Sequence, residues 1–184
     1  MHAHRKYHDD VERRQWQNPE AILAEIGLKA GMRFLDIGCG NGFFSLPAAR
    51  IVGITGKVLA IDADEESIRE LREKAAKEGI TNIEATAGKA EDVILCDACA
   101  DIAFFGICLH DFDDPAHVLQ NARHMLRRGG TLVDLDWKKE PMSFGPPLEK
   151  RFDIAKASKL ITDAGFRIES TRDSGLYHYL IIAK

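Results

Sequence analysis

The sequence predicts an α/β fold: a mostly parallel sheet of about six or seven strands, helices on both faces, and an antiparallel hairpin at the end. Three observations lead there. Strand-like apolar runs alternate with helical stretches along most of the chain, the pattern of repeated βαβ units with right-handed crossovers. One strand runs directly into alternating glycines, Gly38-Cys39-Gly40-Asn41-Gly42, and then a helix. The last two apolar runs flank Asp173-Ser174-Gly175, which signals a hairpin instead of another crossover.

Each element has a local reason. Asn18-Pro19 opens a helix, with Asn as N-cap and Pro at the first helical position, and Gly27 ends it. Met32 to Ile37 reads as a buried strand, and Phe43 to Val52 as the helix behind the glycine turn, with Pro47 tolerated in its first turns. Lys57 to Ile61 is the second strand. Glu65 to Glu78 is a charged amphipathic helix with Ile68, Leu71 and Ala75 inward. Ile83 to Ala87 and Asp101 to Ile107 are strands three and four, followed by a helix over Pro115 to Arg127 and a fifth strand over Thr131 to Asp136. Lys138 to Leu148, rich in proline and glycine, reads as a loop before a helix near Leu148 to Ala164. Phe166 to Thr171 and Tyr177 to Ala183 form the hairpin.

At 184 residues the chain is most simply one domain, 18–184, preceded by an arm, 1–17, that serves as a lid or is disordered. A formal charge of −4 gives no cationic field to gather nucleic acid, which favours a small-molecule partner. The polar start, Met1-His2-Ala3-His4-Arg5-Lys6, does not read as a signal peptide, and no apolar run approaches a membrane span, so a cytoplasmic protein is expected. Cys39, Cys96, Cys99 and Cys108 read as reduced thiols; neither Cys96-x-x-Cys99 nor the histidines at 2, 4 and 8 makes a convincing metal site.

The glycine turn is built to cradle a nucleotide. Its residues tolerate positive φ and lack a Cβ, so the backbone can bend sharply against a ligand while the next helix presents free N–H groups. A dinucleotide fingerprint reads G-x-G-x-x-G, whereas this chain reads G-x-G-x-G with Phe43 at the third glycine position, which tells against NAD. With Asp36 two residues before the first glycine, the run resembles motif I of the class I S-adenosylmethionine (SAM)-dependent methyltransferases, D/E-x-G-x-G-x-G.

That resemblance covers nearly all of residues 19–184. It implies a Rossmann-like three-layer fold with seven strands in the order 3-2-1-4-5-7-6, strand seven antiparallel. Asp36, Ile37, Gly38, Cys39, Gly40 and Gly42 would contact SAM, whose ammonium and sulfonium suit an acidic neighbour. Asp62, at the end of strand two, would accept the ribose hydroxyls beside Ala63, with Asp64 the better cap for the following helix. Gly88-Lys89-Ala90-Glu91-Asp92 resembles the family's G-D-A-E-D element beside the adenine, so Lys89, Ala90 and Glu91 join the set; Lys89, a donor only, stands where an acceptor is usual.

Phe105 to Phe112 resembles the family's Leu-His-His or Leu-His-Asp stretch, bordering cofactor and substrate. Phe105 would touch the cofactor, and His110 is the candidate catalytic base for a hydroxyl acceptor, oriented by Asp111 unless that residue caps the next helix. The Asn-Pro-Pro-aromatic motif of amide- and nucleobase-nitrogen methylases is absent. Lids would come from Tyr7 to Asn18, through Trp16, and from Trp137 to Leu148, through Met142, Phe144 and Pro146-Pro147. The chain is most similar to small methyltransferases of the ubiquinone and menaquinone biosynthesis group. It should bind SAM, release S-adenosylhomocysteine and methylate a compact small molecule; the alternative is a SAM-binding module without turnover.

Overall fold

The computed structural model describes residues 10–184; Tyr7, His2, His4 and His8 lie outside them. In chain order the elements are α1 (Asp10–Arg13), α2 (Pro19–Glu25), β1 (Arg33–Ile37), α3 (Ser45–Val52), β2 (Lys57–Asp62), α4 (Glu65–Lys77), β3 (Ile83–Ala87), β4 (Ala100–Gly106), α5 (Pro115–Met125), β5 (Leu126–Trp137), α6 (Ile154–Asp163), β6 (Ile168–Ser174) and β7 (His178–Ala183). The seven strands form one sheet in the order β3-β2-β1-β4-β5-β7-β6. The first five run parallel, and β7 runs antiparallel between β5 and β6. This is the expected topology.

Strand faces alternate, and each face carries its own core. On one side Phe34, Phe104, Val133, Leu135 and Leu180 pack against α2, α3 and α4. On the other, Leu35, Phe105, Leu132 and Ile181 meet α5 and α6. The caps follow the sequence: Asn18 Oδ1 accepts from Ala21 N at 3.0 Å, and Asp64 caps α4 through Glu66 N at 3.3 Å.

Several expected boundaries move. The helix before β7's hairpin starts at Ile154, because Asp153 accepts from Lys156 N at 2.7 Å and fixes the cap there, leaving 148–152 outside. β5 reaches back to Leu126, which pairs with Ala100 across an irregularity, so α5 stops at Met125. The arm is not featureless: α1 gives it one helical turn, and Gln17 is buried. Cys96 and Cys99, expected as reduced thiols, are joined in a disulfide; the left-handed backbone at Ala98 (φ 44°) folds the loop and brings their Cα atoms to 6.0 Å.

Candidate cofactor and acceptor site

The glycine turn leaves β1 where the sheet order reverses, between β1 and β4, the usual ligand crevice of open α/β sheets. Its glycines serve different ends. A Cβ on Gly38 would sit 2.8 Å from Cys108 Sγ, and one on Gly42 2.4 Å from Leu71 Cδ1, both at positive φ. Only Gly40 of the three faces open space, with nothing within 4 Å of its would-be Cβ. Two glycines thus let the turn pack against its neighbours, and the middle one leaves room above the backbone.

Asp62 ties the crevice together. Its Oδ2 accepts from Gly40 N at 2.7 Å and its Oδ1 from Asp64 N at 2.9 Å, while its carbonyl accepts from Gly88 N at 2.8 Å. The three sequence-distant segments therefore converge on one residue at the end of β2. Each carboxylate oxygen keeps a second lone pair, so two backbone bonds still leave capacity for ligand hydroxyls.

The third segment is held from behind: Asn121 on α5 donates to the Ala90 and Glu91 carbonyls at 2.9 and 2.8 Å. Glu91 Oε1 accepts from Asp114 N at 3.4 Å, and Lys89 Nζ meets Asp113 Oδ2 at 3.4 Å on the surface. Ala63 is exposed beside Asp62. Phe105 is wholly buried edge-on to Phe112, and Ile37 is equally enclosed, so from both positions only backbone faces the crevice.

Asp36 is buried below the turn, where its carboxylate accepts from Ser45 Oγ at 2.5 Å. Burial pushes its carboxyl up to about 7, with Ser45 and the Arg13 charge opposing. A carboxyl harder to ionise in the folded chain than in the unfolded one makes stability fall as pH rises from its ordinary 3.8 toward about 7. Asp36→Asn should remove that loss: urea midpoints measured across this range should decline less steeply in the variant than in the parent. Parallel declines would exclude Asp36 as the source. Cys39, buried, and Cys108, partly buried, have thiols pushed well up and are poor nucleophiles.

The segment after β4 lies against the glycine turn, with Cys108 Sγ donating to the Ile37 carbonyl at 3.0 Å. Ile107 takes a left-handed φ of 61°, uncommon for a β-branched residue, and starts a 3-10 turn over Leu109–Asp111. This aims His110 at β5. Its Nδ1 lies 2.8 and 2.9 Å from the two Asp136 oxygens, and its backbone N–H donates to the same carboxylate at 3.3 Å. Asp136, which sequence reasoning missed, is the orienting partner in place of Asp111. Asp111 stands 3.4 Å from Nε2, and Asp114 caps α5.

A signal was present in the strand itself: Thr131-Leu-Val-Asp-Leu-Asp-Trp137 places two carboxylates on one face of an apolar strand, where burial demands a partner. Asp134 takes the second position, fully buried, its carboxyl pushed well up by burial and by the neighbouring Asp136, so it stays neutral. Burial alone would lower His110; the Asp136 charge and hydrogen bond outweigh it, and the imidazole is raised above its ordinary 6.5.

The chain matches the methyltransferase-domain family over residues 28–163. The chain belongs to the class I SAM-dependent methyltransferases. A SAM-dependent methyltransferase from Aquifex aeolicus superposes with a TM-score of 0.88 at 31% identity, covering 96% of this chain and 98% of that one. The ubiquinone/menaquinone biosynthesis C-methyltransferase UbiE of Vibrio campbellii is 30% identical over 155 residues, 84% of this chain and 58% of that protein. The methyltransferase described here thus spans little more than half the length of that curated relative. A geranyl diphosphate C-methyltransferase from Streptomyces coelicolor, solved with S-adenosylhomocysteine, shares the fold at 14% identity with a TM-score of 0.75. SAM is accordingly the methyltransferase's cofactor, and the Gly40 opening with the Asp62 carboxylate beneath it fits a ribose-bearing ligand.

Proposed function

We propose that this methyltransferase moves the methyl group of SAM to a compact small molecule in the cytoplasm, and that His110 acts as the base removing the acceptor's proton. The His110–Asp136 pair beside the glycine turn carries this reading. SAM supplies an electrophilic methyl on a good leaving group, so the protein's tasks are alignment, exclusion of water and proton removal. Asp62 holds the turn that would seat the ribose, with Asp36, Gly38, Cys39, Gly40 and Gly42 on one side of it and Ala63, Lys89, Ala90 and Glu91 on the other. Asp136 accepts from Nδ1–H and so leaves the lone pair on Nε2, the tautomer a base requires.

A base of this kind is superfluous for a thiol or neutral amine and useful for a hydroxyl or an acidic C–H. Among the described residues no helix is long and apolar enough to cross a membrane. The test is release of S-adenosylhomocysteine from labelled SAM with a panel of phenols, enolisable ketones, amines and thiols. Turnover confined to the first two classes is expected. SAM binding without turnover on any acceptor would replace the enzyme with a binding module.

A further inference from the structure

The two lid segments expected from the sequence meet each other at Trp16 and Phe144. Trp137 closes β5 and is opposite His178 of β7 in the sheet register, their rings 4.4 Å apart. Phe144, from the loop after β5, stands edge-on to Trp137 at 5.7 Å. Trp16, from the N-terminal arm, lies 5.4 Å from His178, nearly parallel to it at 20°, and within 5.7 Å of both other rings. An indole of the chain itself is thus stacked on His178 and flanked by two tilted rings.

The slot is rigid and polar where a ligand would need it. Arg151, 3% exposed, donates to the carbonyls of Pro146, Lys138, Glu140 and Phe144 at 2.8, 3.3, 3.0 and 3.0 Å, which fixes the loop that carries Phe144. Trp137 and His178 are 0% and 2% exposed, yet Trp137 Nε1 and His178 Nε2 have no hydrogen-bond partner. Native structures rarely leave such buried groups unmet, so each calls for a reason. Burial and the charges of Arg13, Lys138 and Arg151 hold His178 neutral, its titration lowered to about 3, so no counter-ion is required there. Trp16, by contrast, is only partly buried.

We propose that the slot between Trp137, Phe144 and His178 is the acceptor's ring subsite, that Trp16 is its resting occupant, and that a planar ring bearing an oxygen or nitrogen acceptor displaces it to meet the Trp137 N–H. This rests on the acceptor-methylating reading above and names the shape and polarity of what that reading left open. Asp136 and Trp137 are consecutive at the carboxyl end of β5 and point to opposite faces of the sheet, so the ring subsite and the base flank that strand end from its two sides.

Coumarin is a suitable probe, a flat bicycle of indole size with a carbonyl acceptor and no donor; naphthalene is its apolar counterpart. Trp16→Ala should bind coumarin about tenfold more tightly than the parent, since the competing occupant is gone, and should favour coumarin over naphthalene. Trp137→Phe added to Trp16→Ala should abolish that preference while SAM titrations stay unchanged. Equal coumarin binding by parent and Trp16→Ala, or a preference that survives Trp137→Phe, overturns the subsite. In the parent protein itself, coumarin should accelerate amide exchange over residues 13–17; unchanged exchange at saturating coumarin overturns it even where a variant fails to fold. Loss of SAM binding in the parent would instead sink the cofactor site and leave the slot untouched.

Discussion

Asp136→Asn should lower kcat/KM by about 10²–10⁴-fold, the range in which positioned proton transfer and its orienting carboxylate contribute. The same loss is expected for His110→Ala, and the double variant should lose little more, because the two act as one unit. The pH profile separates orientation from mere structure. His110 must be neutral to take a proton, so activity rises with pH as it deprotonates, and the limb lies above the ordinary 6.5 because Asp136 stabilises the cation. With Asn at 136 the burial that opposes the charge is no longer outweighed, and the limb should shift to lower pH as the plateau falls. Asp134→Asn is the control: that carboxyl is already neutral, so the amide should leave rate and limb nearly unchanged. A limb that stays in place in Asp136→Asn would remove His110 from the proton transfer.

Asp62→Ala should weaken SAM binding about 10²–10³-fold. Two backbone N–H groups, of Gly40 and Asp64, donate to this carboxylate at 2.7 and 2.9 Å, and charge-assisted bonds contribute about 1.5–3 kcal/mol each. Their loss loosens the glycine turn and removes the ribose acceptor together. Asp62→Asn keeps the shape and one acceptor oxygen and should fall between the two. Calorimetric titration with SAM and S-adenosylhomocysteine, alongside melting curves of the ligand-free variants, reads both effects. Parent-like affinity in a folded Asp62→Ala would place the ribose elsewhere.

The glycine turn and its anchor were legible because they follow local backbone rules. Gly38, Gly40 and Gly42 announce a sharp positive-φ turn, and Asp64 caps α4 as its spacing suggests while Asp62 ties that turn to the end of β2. Phe105 shows where that reading thins: a position near the crevice can still bury its side chain, because a strand residue's facing depends on which sheet face it joins. The surroundings of His110 and Trp16 were less legible. Asp136 reaches His110 across 26 residues, and Trp16 reaches His178 from the far end of the chain, contacts that no periodicity encodes. Arg151 was invisible for the same reason, since its partners are four loop carbonyls with no sequence signature.

By itself the sequence determined the strand-helix alternation, the closing hairpin, the glycine turn and the carboxylate after β2, since each follows from short-range propensity, spacing and capping. The tertiary structure alone decided which carboxylate orients the imidazole, that Asp134 is held hard to ionise, and which rings pack around Trp16. Those outcomes depend on burial and on distances between elements far apart in sequence, where desolvation and a single well-placed partner outweigh any local preference.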